Sequence, residues 1–97
     1  MMTIEELKLK AQNVVLTILP NIERQKLSNE QDIFNLGLNS INAMTLIFNL
    51  QEAFDITFKD AEINLENFRT IDDIASLIDQ KLNHDIDEIS SIKINSL

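Results

Sequence analysis

Apolar residues recur at helical spacing in three segments of the chain, which predicts three main helices. The first helix is predicted over residues 4–19. It begins with a capping box, in which the side chains of Thr3 and Glu6 satisfy free amides of the first turn. It ends before Pro20, because proline cannot continue a helix. Its predicted core positions are Ile4, Leu7, Ala11, Val14, Val15 and Ile18.

The second helix is predicted over residues 40–54, and the last helix begins after Thr70. Asn39 is a favoured N-cap residue, whose side-chain oxygen would accept from the amide of residue 41 or 42. Asp73 completes a capping box with Thr70. The predicted core positions are Ala43, Leu46, Ile47, Leu50, Ala53 and Phe54 in the second helix, and Ile71, Ile74, Ala75, Ile78 and Leu82 in the last.

Residues 20–39 have no periodicity and are rich in turn formers, yet apolar residues interrupt them. This pattern predicts an ordered crossover loop with a short helical turn near residues 32–35. The expected anchors of the loop are Ile22, Leu27, Ile33, Phe34, Leu36 and Leu38. Residues 60–64 are predicted to form one helical turn, followed by an irregular stretch over residues 65–69.

The predicted fold class is therefore all-α: a small four-helix bundle of three main helices and one short helix, with a long loop between helices one and two. We expect one domain over residues 1–82. Residues 83–97 would form a C-terminal tail that either extends the last helix or is flexible, since Ile86, Ile89 and Ile92 keep helical spacing. The Met-Met start and the lack of a Pro/Gly-rich linker favour a free-standing protein.

Composition removes several classes of function. The net charge of −8 argues against nucleic acid as a partner, and no apolar stretch is long enough to cross a membrane. The chain has no cysteine, so thiolate metal sites are excluded and a cytoplasmic location is expected. The acid pairs Glu5–Glu6 and Asp72–Asp73 fit helix capping, and His84 lies in the tail, so we expect neither a metal site nor catalytic residues. We also expect the protein to be a monomer.

The chain contains one glycine, Gly37, three residues before Ser40. Glycine accepts a positive φ, so Gly37 would let the backbone turn sharply and present Ser40 at the start of helix two. A phosphate ester on the Ser40 oxygen would be favoured there by the first-turn amides and the helix dipole. No Gly-x-Ser-x-Gly motif or nearby base supports a serine hydrolase.

This stretch resembles the attachment motif of the acyl carrier protein family, Asp-x-Phe followed by Leu-Gly-x-Asp-Ser-Leu. The stretches "LIFNLQEAFDITF" and "ENFRTIDDIASLI" also resemble the helices of that family, and the resemblance covers residues 4–82. The matching residues of the motif are Asp32, Phe34, Leu36, Gly37, Ser40 and Ile41.

The resemblance implies that a phosphopantetheinyl transferase, with Mg²⁺, attaches 4′-phosphopantetheine from coenzyme A to Ser40, supported by Gly37, Leu38 and Asn39. Acyl or aminoacyl groups would then travel as thioesters on that arm. The implied further partners are an adenylate-forming ligase or acyltransferase and downstream synthase enzymes. The cargo stays open among fatty acyl, polyketide, amino acid and D-alanyl groups.

Two departures from the family pattern separate this chain from fatty-acid carriers, which have Asp before the serine and many acids on helix two. Here Asn39 precedes the serine, and residues 41–51 carry no charge. Ile41, Met44 and Phe48 lie beside the core stripe, either buried or exposed as a partner-binding surface. Exposure would favour a specialised polyketide or nonribosomal peptide carrier. The alternative function is a small helical adaptor in which Ser40 is only a helix cap.

Overall fold

The computed structural model describes the backbone of residues 2–95 and the side chains of residues 2–83. Its three α-helices are α1 (Ile4–Ile18), α2 (Ser40–Phe54) and α3 (Ile71–Asn95). Single 3₁₀ turns lie at Arg24–Lys26, Asp60–Glu62 and Glu66–Phe68. No strand occurs in residues 2–95, and the predicted all-α class is confirmed, with a 3₁₀ turn in place of the short fourth helix.

The helix boundaries follow the predicted caps closely. The Thr3 hydroxyl accepts from the Glu6 amide at 3.2 Å, and the Thr3 amide donates to Glu6 Oε1 at 2.9 Å, so the capping box of α1 is complete. The helix ends one residue earlier than predicted because Leu19 leaves helical geometry ahead of Pro20. The bounds of α2 are those predicted, and Asp55 ends this helix in a left-handed conformation with φ of 54°.

The last helix has half of its predicted cap, and its backbone takes one of the two courses expected for the tail. The Thr70 hydroxyl accepts from the Asp73 amide at 3.0 Å, which is one half of the predicted capping box. The helical backbone continues to Asn95, so α3 runs past residue 82, and the division of the chain at that point stays a prediction. The side chains of His84, Ile86, Ile89 and Ile92 lie outside the described residues.

Segment 60–69 is more regular than predicted. The turn predicted over residues 60–64 is found, shortened to Asp60–Glu62. The stretch predicted to be irregular contains a second turn, Glu66–Phe68, because Phe68 is buried and draws the chain back to the core.

The core lies between α1 and the two later helices, and the crossover loop closes one end of it. Buried hydrophobic residues include Leu7, Ala11 and Val15 from α1, Leu46, Leu50 and Phe54 from α2, Ile71, Ile74, Ala75, Leu77 and Ile78 from α3, and Leu27, Ile33 and Leu38 from the loop. The predicted loop anchors Ile22, Phe34 and Leu36 are partly buried. The prediction was wrong for Ile4, which is 38% exposed because it lies at the open N-terminal end of α1.

The crossover loop is attached to the start of α3, and this attachment positions the beginning of α2. The Ile33 amide donates to the Arg69 carbonyl at 2.9 Å, and the Asp72 amide donates to the Asn29 carbonyl at 3.0 Å. Arg69 Nε also lies 3.7 Å from a carboxylate oxygen of Asp32. The predicted turn near residues 32–35 consists of successive hydrogen-bonded turns, one of them from the Asn35 amide to the Asp32 carbonyl.

Candidate functional site

Gly37 has a φ of 118°, a conformation that side-chain-bearing residues rarely adopt. An added Cβ would lie 3.7 Å from Leu19 Cδ2, which is an ordinary contact, so space is available for a small side chain. The requirement for glycine is therefore conformational, as the sequence predicted. The turn buries Leu38 and directs the chain into α2.

Asn39 is the N-cap of α2, as predicted. Its Oδ1 accepts from the amides of Ile41, at 2.9 Å, and of Asn42, at 3.0 Å. Asn42 Oδ1 accepts in return from the Asn39 amide at 2.6 Å, and Asn42 Nδ2 donates to the Gly37 carbonyl at 3.4 Å. This role of Asn42 was not predicted, although a capping box has a polar side chain three residues after the cap.

Ser40 is the first residue of α2, and its side chain is exposed. Within the described residues, neither its hydroxyl nor its amide has a hydrogen-bond partner. The expectation that several first-turn amides would be free to meet an anion is corrected, because Asn39 already occupies those of Ile41 and Asn42. An anion on the Ser40 oxygen would meet the Ser40 amide and the positive end of the helix dipole.

Three large apolar side chains project from the exposed face of α2. Ile41 is 82% exposed, Met44 is 65% exposed and Phe48 is 58% exposed. We call this surface the α2 patch. These exposures exclude the alternative that the three residues belong to the core. Their role in partner binding stays a prediction.

An open groove of about 430 Å³ lies between α2 and the segment that precedes α3. We call it the Ser40 groove, because Ser40 is one of its lining residues and most of the others are apolar. The groove was not predicted, because segments that are distant in the chain form it. Its lining residues are Phe34, Ser40, Ala43, Met44, Ile47, Ile63, Asn64, Leu65 and Phe68.

None of the residues that line the Ser40 groove is charged, and the two carboxyl groups with shifted pKa values lie outside it. Hydrogen bonds from the Thr3 amide and hydroxyl lower the pKa of Glu6. Partial burial alone would raise the pKa of Glu62, but hydrogen bonds from the Lys81 ammonium and the Lys59 amide outweigh it, and the net effect lowers this pKa. The described part of the chain contains no cluster of residues able to hold a metal ion, and none of its helices is long and apolar enough to cross a membrane.

Comparison with known proteins gives a consistent result. Residues 12–78 match the family described as "Phosphopantetheine attachment site". The chain is 38% identical over 45 residues to the acyl carrier protein of Kocuria rhizophila, an alignment that covers 46% of this chain and 53% of that protein. It is 30% identical over 67 residues to the acyl carrier protein homolog of Mycoplasmopsis pulmonis, covering 69% of this chain and 89% of that protein.

A further relative is named as a carrier of aminoacyl groups. The chain is 34% identical over 55 residues to the aminoacyl carrier protein of Agrobacterium fabrum, which covers 54% of this chain and 66% of that protein. The two alignments thus span about half the length of the Kocuria protein and about two thirds of the length of the Agrobacterium protein.

Proposed function

The chain belongs to the acyl carrier protein family, whose members carry covalent 4′-phosphopantetheine, and from this premise we propose that Ser40 is the attachment residue. The protein would then shuttle acyl or aminoacyl groups between biosynthetic enzymes. Members of this family act as carriers and not as catalysts, in keeping with a chain that has one histidine and no cysteine. The choice of Ser40 among the serines of this chain and the class of cargo belong to the proposal.

One observation carries the choice of Ser40: its hydroxyl is exposed at the start of α2 and forms no hydrogen bond with the residues that the structure describes. Asn39 and Asn42 satisfy the neighbouring amides, so the capping of α2 makes no demand on the Ser40 oxygen. This arrangement also weakens the alternative of a helical adaptor in which Ser40 only caps the helix, because the cap is Asn39.

The residues present fit the covalent group. The Ser40 amide and the N-terminal end of the α2 dipole favour the negative charge of a phosphodiester. Gly37, Leu38 and Asn39 support the site by holding the backbone turn that exposes Ser40. When attached, the arm supplies a terminal thiol on which acyl or aminoacyl groups are held as thioesters.

A phosphopantetheinyl transferase would join the group to this residue. The Ser40 oxygen attacks the β-phosphorus of coenzyme A, a new P–O bond forms, and the bond to the nucleotide part of coenzyme A breaks. The Ser40 proton is lost to a base of the transferase, since residues 2–83 offer no base hydrogen-bonded to Ser40.

We further propose that partner enzymes dock on the α2 patch. Its three side chains are more than half exposed, and residues 41–51 carry no charge in a protein of net charge −8. Exposed apolar surface beside the attachment residue favours partners that bind through apolar contacts. A specialised polyketide or nonribosomal peptide carrier fits this surface better than a fatty-acid carrier that docks through acids. Loading by an adenylate-forming ligase or an acyltransferase, and a cytoplasmic location, complete the proposal.

The experiment is intact-mass measurement after incubation with coenzyme A and a promiscuous phosphopantetheinyl transferase. The wild-type chain should gain one phosphopantetheinyl group, and Ser40→Ala should gain none. Ser76→Ala is the matched control, because Ser76 is also exposed on a helix but lies outside the site, and it should be modified normally. A mass shift retained in Ser40→Ala would contradict the assignment. A panel of adenylate-forming ligases, read by the same method, would identify the cargo.

A further inference from the structure

Lys81 of α3 is a charged residue in a buried position, with only 9% of its side chain exposed. Its Nζ donates to Glu62 Oε1 at 2.8 Å and lies 5.8 Å from the centre of the Phe58 ring. Lysine is rarely buried unless it is paired, and apolar residues that replace both partners of a buried ion pair often stabilise a protein as well as the pair does. Stability alone therefore does not explain why Lys81 is buried.

The partner of Lys81 lies in a segment that has few anchors of its own. We call residues 59–67 the strap. The strap lies between Phe58 and Phe68, which are both buried and pack edge to face with ring centroids 5.2 Å apart. No residue of the strap is buried. A loop whose ends are pinned together while its middle lies on the surface is the arrangement found in Ω-loops.

The strap forms hydrogen bonds mainly with itself. The Lys59 amide donates to Glu62 Oε1 at 2.6 Å, and Asn67 Nδ2 donates to the Glu62 carbonyl at 2.9 Å. The Asn67 amide donates to Asn64 Oδ1 at 3.0 Å. Among the described side chains, the contact between Glu62 and Lys81 is the one hydrogen bond that joins the strap to an α-helix.

The strap also forms one wall of the Ser40 groove. Ile63 and Leu65 line the groove, as does Met44 of α2, and the two strap residues remain 41% and 55% exposed. The position of the strap on α3 therefore sets the distance between the two walls.

We propose that the Glu62–Lys81 ion pair is a latch that holds the strap against α3 and so controls how far the Ser40 groove opens. When the latch is broken, the strap loses its hydrogen bond to α3, and its short 3₁₀ turns do not persist without support. Ile63 and Leu65 then move away from α2, and the floor of the groove becomes accessible. The latch is a property of the unmodified chain, so it stands or falls independently of the role proposed for Ser40.

Amide hydrogen exchange of the unmodified protein tests the latch directly. Lys81→Met removes the more buried of the two charges while keeping a long side chain. It is expected to fold because Glu62, the partner left behind, has 22% of its side chain exposed and can be hydrated. Exchange of the Glu62, Ile63 and Asn67 amides should accelerate roughly tenfold, equivalent to about 1.4 kcal/mol of local stabilisation. Glu62→Gln should act in the same direction. The control is Lys8→Met, which removes the ion pair of Lys8 with Asp72 and should leave the strap unchanged.

Opening of the groove is tested with a single engineered thiol, since the chain has no cysteine. Ala43 and Ala53 are half-buried alanines of α2, and of the two only Ala43 lines the Ser40 groove. Ala43→Cys should be alkylated faster by a maleimide when Lys81→Met is added. Ala53→Cys should react at the same rate with or without Lys81→Met.

Three results would overturn the latch. The first is strap exchange that stays within about twofold of wild type in both Lys81→Met and Glu62→Gln, which is the scatter expected of independent sites. The second is equal acceleration of the strap and of the core amides of Leu46 and Leu50, which would show general destabilisation. The third is an Ala43→Cys thiol whose alkylation does not respond to Lys81→Met.

Discussion

Replacing Asn39 by alanine should destabilise the domain far more than replacing Ser40, although the two residues are adjacent at the start of α2. Asn39→Ala removes an oxygen that accepts from two amides, at 2.9 and 3.0 Å. The bond from the backbone amide of residue 39 to Asn42 Oδ1 does not involve the Asn39 side chain, so the substitution removes one half of the capping box and keeps the other. Ser40→Ala removes a hydroxyl that bonds to nothing in the described part of the chain.

The size of the effect follows from these bonds. Loss of an N-cap side chain typically costs about 1 kcal/mol, with a range of roughly 0.5–2 kcal/mol. Asn39 satisfies two amides and belongs to a reciprocal box, so we expect about 1–2 kcal/mol for Asn39→Ala. Ser40→Ala should stay within about 0.5 kcal/mol of wild type, as surface substitutions generally do. Asn39→Asp keeps the cap and adds a charge at the positive end of the helix dipole, so it should be neutral or slightly stabilising.

Urea denaturation followed by circular dichroism measures these differences, because a small single domain is expected to unfold in two states. With a slope of roughly 1–2 kcal/mol per molar, a loss of 1 kcal/mol lowers the midpoint by about 0.5–1 M. Thermal unfolding should show a matching fall of about 4–8 °C. Ser76→Ala serves as the control for a serine that takes no part in capping.

A Ser40→Ala variant that loses as much stability as Asn39→Ala would refute the reasoning. It would mean that the Ser40 hydroxyl supports α2, and the argument that it is free for modification would lose its basis. An Asn39→Ala variant with wild-type stability would show that Asn42 or solvent replaces the cap.

Three further predictions concern the turn, the α2 patch and the strap. Gly37→Val should cost about 1–3 kcal/mol because of the positive φ at this position, measured by the same unfolding assay, and a wild-type midpoint would contradict it. Met44→Glu or Phe48→Glu should reduce loading by the cognate ligase without unfolding the domain, and loading should change little as salt is raised, whereas a steep loss with salt would point to acids as the docking groups. The lowered pKa of Glu62 stabilises the fold above the ordinary value of 4.5, and this contribution is lost as pH falls through the lowered pKa. Glu62→Gln should therefore weaken the acid dependence of unfolding, and an unchanged profile would show that this carboxyl does not contribute.

The sequence by itself determined the features that depend on neighbours in the chain. Thr3 and Asn39 start their helices through side-chain bonds to amides within three residues, so the starts of α1 and α2 could be predicted. Gly37 stands where the backbone takes a positive φ, and a lone glycine before a helix is a local signal of such a turn. The motif around Ser40 is equally local, and the match over residues 12–78 bears out the family that it indicated.

Tertiary structure alone decided which faces are buried and which segments meet. Periodicity could not tell whether Met44 is core or surface, because that depends on which faces of α2 the other segments cover, and the fold leaves this side chain 65% exposed. The Ser40 groove brings residues 34 and 68 together, and the Glu62–Lys81 ion pair joins groups 19 positions apart. Lys81 has a polar side chain that a sequence reading assigns to solvent, and it is buried because the fold places a carboxylate and the Phe58 ring beside it.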